Sequence, residues 1–373
     1  DLHLSLRRQR QMCIRDRMSA RGLGLKNNKQ WLALADAAAR AWLDAPTLEL
    51  LGNGHIHQTF LLSDQEKPAD RYVLQCVNSA VYGDIDLLMR QTRMVLDRLH
   101  TASAFAAEYR LPELISTRLG ESVFVQASDG ETHSWRLWRY IEGSKTCDPP
   151  ENRQQIRQAA QAFGAYQRAL AGMEIEQLHE TIPGFLSMSG YLRQFDQVLA
   201  TATLAECEQA APWIALAQSH RQWPSALMQP NGIIHGDCKI NNVLFDQQGE
   251  RVLSVIDLDN NMKGHWAWDF GDLVRSVAFS RGGFDVDDYR ACLQGFLTGR
   301  GSTPLISEHL IYAPSYLAFM LGLRFLTDHL GGDVYFSVPE HGDNLQRAME
   351  QFALFQSFER NKALMGRIVS ECS

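Results

Sequence analysis

The sequence predicts an α+β protein in two lobes, a small one rich in antiparallel strand and a large one built of helices. Three observations carry that prediction. Before Pro149, short runs of alternating apolar and polar residues are separated by Gly-containing turns. From there on, apolar residues recur at helical spacing over long stretches. With 373 residues, 45% of them apolar, the chain is long enough for two separate cores.

Residues 1–17, DLHLSLRRQRQMCIRDR, are basic, lack periodicity and precede Met18; they are expected to be a non-native or disordered leader. KQWLALADAAARAWL (29–43) has the spacing of an amphipathic helix. LELLGNGHIHQTFLLS (48–63) reads as strand, Gly-rich turn, strand, and RYVLQCVN (71–78) as a third strand. GDIDLLMRQTRMVLDRLH (83–100) is a helix with an aspartate placed to cap it. Strands are expected near 113–117, 121–126 and 133–144, which completes a first lobe over 18–140. A connector near 140–148 leads into the second lobe, 141–373. Helices are predicted there near 151–172, 189–221, 267–280, 286–298, 306–331 and 340–368. The strand-like exceptions are 233–245 and 251–260.

Composition excludes several classes of function. A net charge of −7 with no basic stripe argues against a nucleic-acid partner. The apolar run YLAFMLGLRFL (316–326) is too short to span a bilayer and is broken by Arg324, so no membrane partner is expected. Seven cysteines at scattered positions form no C-x-x-C pair, which predicts reduced thiols in a cytoplasmic protein.

The chemistry concentrates in IIHGDCKINNVLF (233–245). His235, Asp237, Lys239 and Asn242 are costly to bury unpaired, yet they stand between two apolar strand-like flanks. Phosphoryl transfer needs this set: a carboxylate to orient the acceptor hydroxyl, an oxygen ligand for a divalent metal, and fixed positive charge. Asp237 can supply the first, the Asn242 amide oxygen the second and Lys239 the third. His-x-Asp-x-Lys-x-x-Asn is the catalytic-loop pattern of protein kinases with Gly236 in second place. VLSVIDLDN adds Asp257 at the end of a strand fifteen residues beyond Asn242. Two oxygen ligands suit Mg²⁺, which keeps several waters. Strand, turn, strand and Asp is the outline of a hairpin that brings both ligands to one end.

The loop, the IDLD strand end and WDFGDLVRS (268–276) resemble the aminoglycoside phosphotransferase and choline kinase superfamily. LGNGHIHQTF, YVLQCVN, WRYIEGSKT, ETIPGF and LGLRFLTDHLGGDVYF are similar to the N-acetylhexosamine 1-kinases within it. The resemblance covers nearly all of the chain after Met18 and implies a bilobal protein-kinase-like fold using ATP and Mg²⁺. It implies Asp237 as catalytic base, Asn242 and Asp257 as metal ligands, and Asp269 as a brace for the loop, with His235 in the same supporting role. It implies that backbone at Ile141, Glu142 and Gly143 holds adenine, and that Gly52 and Gly54 admit the ATP phosphates. His55 and Arg324 would contact a sugar, a monomer or homodimer being expected. For Arg324 the alternative is pairing with Asp328, one turn on; for His55 it is stabilising its own turn.

Two departures accompany the resemblance. Gln75 occupies the third-strand position where the superfamily usually has lysine, and residues 84–100 contain no glutamate to pair with one. Lys239 could then supply the main positive charge. In GHIHQT, His57 and Gln58 replace an amide and a sugar-binding carboxylate, which alters the hydroxyl pattern recognised. The expected function is an ATP- and Mg-dependent kinase of an N-acetylhexosamine or related sugar at its anomeric hydroxyl. The alternatives are another acceptor (amino alcohol, amino acid or aminoglycoside) or a nucleotide-binding pseudokinase.

Overall fold

The computed structural model describes residues 27–51, 56–128, 130–303, 305–336, 338 and 340–372. The leader, Gly52, Gly54 and His55 lie outside the described residues. By internal packing the chain divides into two units, Asp1–Arg90 with Pro112–Glu142, and Gln91–Leu111 with Gly143–Ser373. Residues 91–111, which the sequence alone puts with the first lobe, group with the second. There the Arg110 N–H donates to Leu253 O at 2.7 Å and Gln161 Nε2 to Glu108 Oε1 at 3.1 Å.

The first unit is one antiparallel sheet with a helix on it. Its strands are β1 Pro46–Leu50, β2 Gln58–Asp64, β3 Arg71–Val77, β4 Leu114–Ile115, β5 Phe124–Ser128 and β6 Glu131–Arg139. The order is β1-β2-β3-β6, and the far edge of β6 is shared by β4 and β5. Because side chains alternate along a strand, the register stacks Phe60, Leu74 and Leu137 in one row and Cys76 and Trp135 in the next. Helix α1, Asn28–Ala39, is capped reciprocally by Asn27 and Gln30 and lays Trp31, Ala35, Ala38 and Ala39 on that face. Each large side chain buried there contributes on the order of 1.5–3 kcal/mol. Helix α2 is Ile85–Thr101, and Asp84 Oδ1 accepts from Leu87 N at 2.8 Å, as the capping aspartate predicted.

The second unit is mainly helical: α3 Ser103–Glu108, α4 Arg153–Leu170, α5 Met188–Leu199, α6 Leu204–Ser219, α7 Trp266–Ser280, α8 Val286–Arg300, α9 Ser307–Leu330 and α10 Asp343–Cys372. The single helix expected over 189–221 is two. Thr203 and Glu206 form a capping box that starts α6, a local signal that the apolar period runs straight through. The strand expected in 133–144 before a Gly-Ser turn is β6; past that turn β7, Ser144–Lys145, pairs with β9 rather than joining the first sheet. Helices α4 and α8 approach backbone to backbone: a Cβ on Gly295 would lie 2.1 Å from Arg157 O, and one on Gly299 2.1 Å from Gln161 O.

Helix α9 corrects the expectation drawn from 316–326. At 24 residues it is long and apolar enough to cross a membrane, but 89% of its most apolar window is buried inside the protein, as in a core helix. Among the described residues the cysteines are free thiols.

Candidate active site

Four short strands build the site's frame. β8, Gly232–Ile234, pairs with β11, Met262–Gly264, while β9, Val243–Asp246, and β10, Val252–Val255, form the predicted hairpin. Between β8 and β9 the chain runs through the loop 235–242, closing with a 3₁₀ turn at Ile240–Asn242. Val243 faces Val255 across the hairpin, and Ile256 N donates to Asn242 O at 2.9 Å. Asn242 and Asp257 therefore leave the same end of the hairpin. Asp257 is left-handed (φ 65°, ψ 61°), an uncommon backbone for a non-glycine residue and one that concentrates at functional sites.

The loop's polar side chains engage one another. Asn242 Nδ2 donates to Asp237 Oδ2 at 2.6 Å and to Asp237 O at 2.9 Å, which commits the amide nitrogen to the loop. Its oxygen is thereby the atom of that amide suited to a cation. Lys239 Nζ lies 3.4 Å from Asp237 Oδ2, and both side chains retain slight exposure, 8% and 11%. A carboxylate, an ammonium and an amide thus meet at one loop with a path to solvent.

What holds the loop is a buried carboxylate. Asp269, in the first turn of α7, accepts from His235 N at 3.0 Å and Gly236 N at 2.9 Å, using one oxygen for each. The helix N-terminus favours its charge. Gln167 Nε2 donates to Asp269 Oδ2 at 2.6 Å, while Gln167 Oε1 accepts from Arg300, itself stacked on Trp266. Burial lowers the Arg300 pKa to about 10, against the pull of Asp269. Gly236 has φ 77°, and a Cβ there would lie 2.6 Å from Asn260 O. Only glycine fits that turn without strain. His235 sits edge-on to Phe163 and Tyr166, and its Nε2 contacts Ile256 O at 3.0 Å, tying loop to hairpin.

The match to the phosphotransferase enzyme family spans residues 47–303 and includes the whole of this loop and hairpin. The chain belongs to that family. The phosphotransferase's described fold is kinase-like, antiparallel sheet in the N-terminal part and helices mostly in the C-terminal part. It is similar to an aminoglycoside phosphotransferase from Alicyclobacillus acidocaldarius (TM-score 0.56, 16% identity, 90% of this chain and 96% of that one). It is likewise similar to an amicoumacin kinase in complex with AMP-PNP, Ca²⁺ and Ami (TM-score 0.56, 14% identity, 92% and 94%). A third similar structure is a microcompartment-associated aminopropanol kinase (TM-score 0.55, 16% identity, 90% and 98%).

Two residues of this phosphotransferase were given no site role from the sequence. Asp272, one turn beyond Asp269, pairs with Arg275 at 2.7 Å. Burial pushes its carboxyl up, opposed by Arg275 and reinforced by Asp237, so the two aspartates feel each other's charge. Arg136 is the other. Its Nε donates to Gln75 Oε1 at 3.0 Å, and Trp138 Nε1 donates to the same oxygen at 3.0 Å. The cation missing from Gln75 stands directly across the ladder, since Gln75 faces Arg136. Only pairing of strands 61 residues apart reveals it.

The remaining predicted residues fall as follows. Gln58 opens β2, facing Cys76. His57 is tied to its own unit, Nδ1 accepting from Asn78 N at 3.2 Å and the ring stacked on Tyr82. Ile141 and Glu142 close the first unit, with Glu142 paired to Arg71 through its side chain, and Gly143 opens the second with φ 72°. Arg324 does not pair with Asp328. That carboxylate accepts from Tyr335 N, Phe336 N and Asn344 Nδ2 instead, because the chain folds back over the end of α9. The Arg324 guanidinium lies among the rings of Tyr191 (4.8 Å), Phe336 (5.2 Å), Tyr335 (5.7 Å) and Phe185 (5.8 Å). Among the described residues the guanidinium makes one hydrogen bond, donated to Tyr335 Oη at 3.4 Å. Cys238 is buried, and burial with nearby carboxylates raises its thiol well above the usual value, so it packs rather than reacts.

Proposed function

We propose that this phosphotransferase is a small-molecule kinase that moves the γ-phosphoryl group of ATP, with Mg²⁺, to a sugar, most specifically to the anomeric hydroxyl of an N-acetylhexosamine. The observation that carries the kinase reading is the loop itself. Asp237 is positioned by Asn242, flanked by Lys239 and braced from behind by Asp269, at the hairpin end that also carries Asp257. In this role Asp237 holds the acceptor hydroxyl and takes up its proton as the oxygen–phosphorus bond forms. Lys239 stabilises charge on the migrating group. Asn242 Oδ1 and the Asp257 carboxylate are hard oxygen donors that fit a divalent cation, which when bound neutralises phosphate charge. The amicoumacin kinase of similar fold is in complex with AMP-PNP and Ca²⁺, which supports a nucleotide and a divalent metal here.

Gln75, Ile141, Glu142 and Gly143 are nucleotide contacts in this proposal, and Arg136 supplies the cation beside Gln75. The sugar assignment rests on the resemblance to N-acetylhexosamine kinases and on Arg324. A guanidinium walled by aromatic faces offers donors and flat apolar surface to a neutral polyol, whereas a cationic acceptor would be repelled. The scattered free thiols support a cytoplasmic setting.

The test is a panel of hexoses, N-acetylhexosamines, amino alcohols and aminoglycosides with Mg-ATP, products read by phosphorus NMR. An anomeric phosphate from an N-acetylhexosamine supports the proposal, phosphorylation of an amine-bearing acceptor alone replaces the sugar, and no product at all removes the kinase. Asp237→Asn should lower turnover by about 10²–10⁴-fold with nucleotide affinity kept. Parallel loss of both would refute the role of Asp237.

A further inference from the structure

A second cluster of ligating side chains lies at the C-terminal end of α9, made of residues the phosphoryl-transfer chemistry does not use. We propose that His329, Asp333 and His341 bind a borderline transition-metal dication of the zinc type. One donor atom from each residue lies within 4.8 Å of the other two. His341 Nδ1 is 2.7 Å from Asp333 Oδ2, and the His329 ring stacks on His341 with centroids 5.1 Å apart.

The observation pointing to a ligand is His329. The residue is fully buried, and neither of its ring nitrogens has a hydrogen-bond partner among the described residues. Buried polar atoms are nearly always satisfied, so two orphans on one ring call for an explanation. A metal bound through one nitrogen gives one.

The backbone builds the cluster deliberately. α9 ends at Leu330, and Gly331 and Gly332 turn the chain so that Asp333, with φ 57°, points back towards the helix end. Asn344 Nδ2 donates to Asp333 Oδ1 at 2.8 Å and fixes the carboxylate's orientation, the role that outer partners play at metal sites. Zinc takes imidazole and carboxylate at about 2.0–2.2 Å, with donors about 3.3 Å apart in a tetrahedron, so the cluster needs a contraction of about 1.5 Å at most. Two imidazoles exclude the all-oxygen shells of Mg²⁺ and Ca²⁺. Three protein donors leave a fourth position for water.

Occupancy has a consequence for the neighbouring segment. Asn344 Nδ2 also donates to Asp328 Oδ2 and Phe336 O, so the metal ligands connect through one amide to the strip bearing Tyr335 and Phe336. Those two rings wall Arg324. Metal at His329, Asp333 and His341 stiffens that wall, whatever the acceptor.

The test uses the full chain without an affinity tag, stripped by chelator and titrated with zinc by calorimetry and with cobalt by absorption. Expected are one equivalent bound, a cobalt spectrum with no thiolate band, and persistence in millimolar Mg²⁺. His341→Ala, at an exposed position, and Asp333→Asn should each weaken binding by about 100-fold or more. Zinc should also slow hydrogen exchange across 331–336 in the parent but not in His341→Ala. No saturable binding at micromolar zinc overturns the proposal. So do affinity unchanged in both variants and a spectrum showing cysteine ligation.

Discussion

Asp269→Asn replaces one atom in a fully enclosed carboxylate, and its effect can be worked from the hydrogen bonds. Three N–H groups donate to the carboxylate: His235 N and Gln167 Nε2 on Oδ2, Gly236 N on Oδ1. An asparagine has one acceptor oxygen. Its better orientation keeps that oxygen on His235 N and Gln167 and turns the NH₂ towards Gly236 N, donor against donor. A buried N–H left unsatisfied costs about 1–3 kcal/mol, and turning two charge-assisted bonds into neutral ones costs roughly 1 kcal/mol each. Loss of the negative charge at the first turn of α7 adds about 0.3–1 kcal/mol. The sum, about 3–6 kcal/mol, is a large part of a typical folding free energy of about 5–15 kcal/mol. Urea unfolding should therefore show a clearly lower midpoint at unchanged m-value, and surviving folded enzyme should lose kcat more than nucleotide affinity as residues 235–237 shift. A midpoint equal to the parent's would refute the bracing role.

Gly236→Ala forces a left-handed alanine, costing about 1–2 kcal/mol, and drives its Cβ towards Asn260 O; a lower melting temperature with much reduced turnover should follow. His265 caps α7 by accepting from Ala267 N, and burial, then the His309 and Arg300 charges, push its pKa down to about 4 from an unfolded value near 6.5. Its contribution is complete above about pH 6.5 and is lost as pH falls through about 4, up to roughly 3 kcal/mol. His265→Asn, which keeps an acceptor at the cap, should flatten the difference in urea midpoint between pH 7 and pH 5. Arg324→Met should raise the acceptor KM about 10–100-fold with nucleotide affinity intact and little loss of stability, since a buried cation with one long hydrogen bond stabilises little. A stability loss without a KM change would make Arg324 structural.

Much of the site was legible one segment at a time. Residues 233–245 announce themselves because charged and amide groups between apolar strands must serve each other or a ligand, and Asp257 follows because a hairpin's two ends coincide. The helices of the second unit could be read because a buried helix face imposes its period on consecutive residues, and α1 and β1–β3 for the corresponding reason. These are properties of neighbours in the chain, which is why sequence alone determined them.

The rest depended on residues far apart in sequence meeting in space. Asp269, named as a brace only through the family resemblance, is in its own segment an ordinary first-turn aspartate until α7 is placed against the loop, and Gln75 looks like a lost charge until β6 brings Arg136 opposite it. Asp328 stands one turn from Arg324, yet the fold-back after α9 offers it two backbone N–H groups, which would otherwise be left unsatisfied. His329, Asp333 and His341 are spaced like no metal motif, because the turn that unites them reverses direction at a left-handed residue. Local periodicity records which face of an element is buried; which partner it is buried against is decided only when the elements pack.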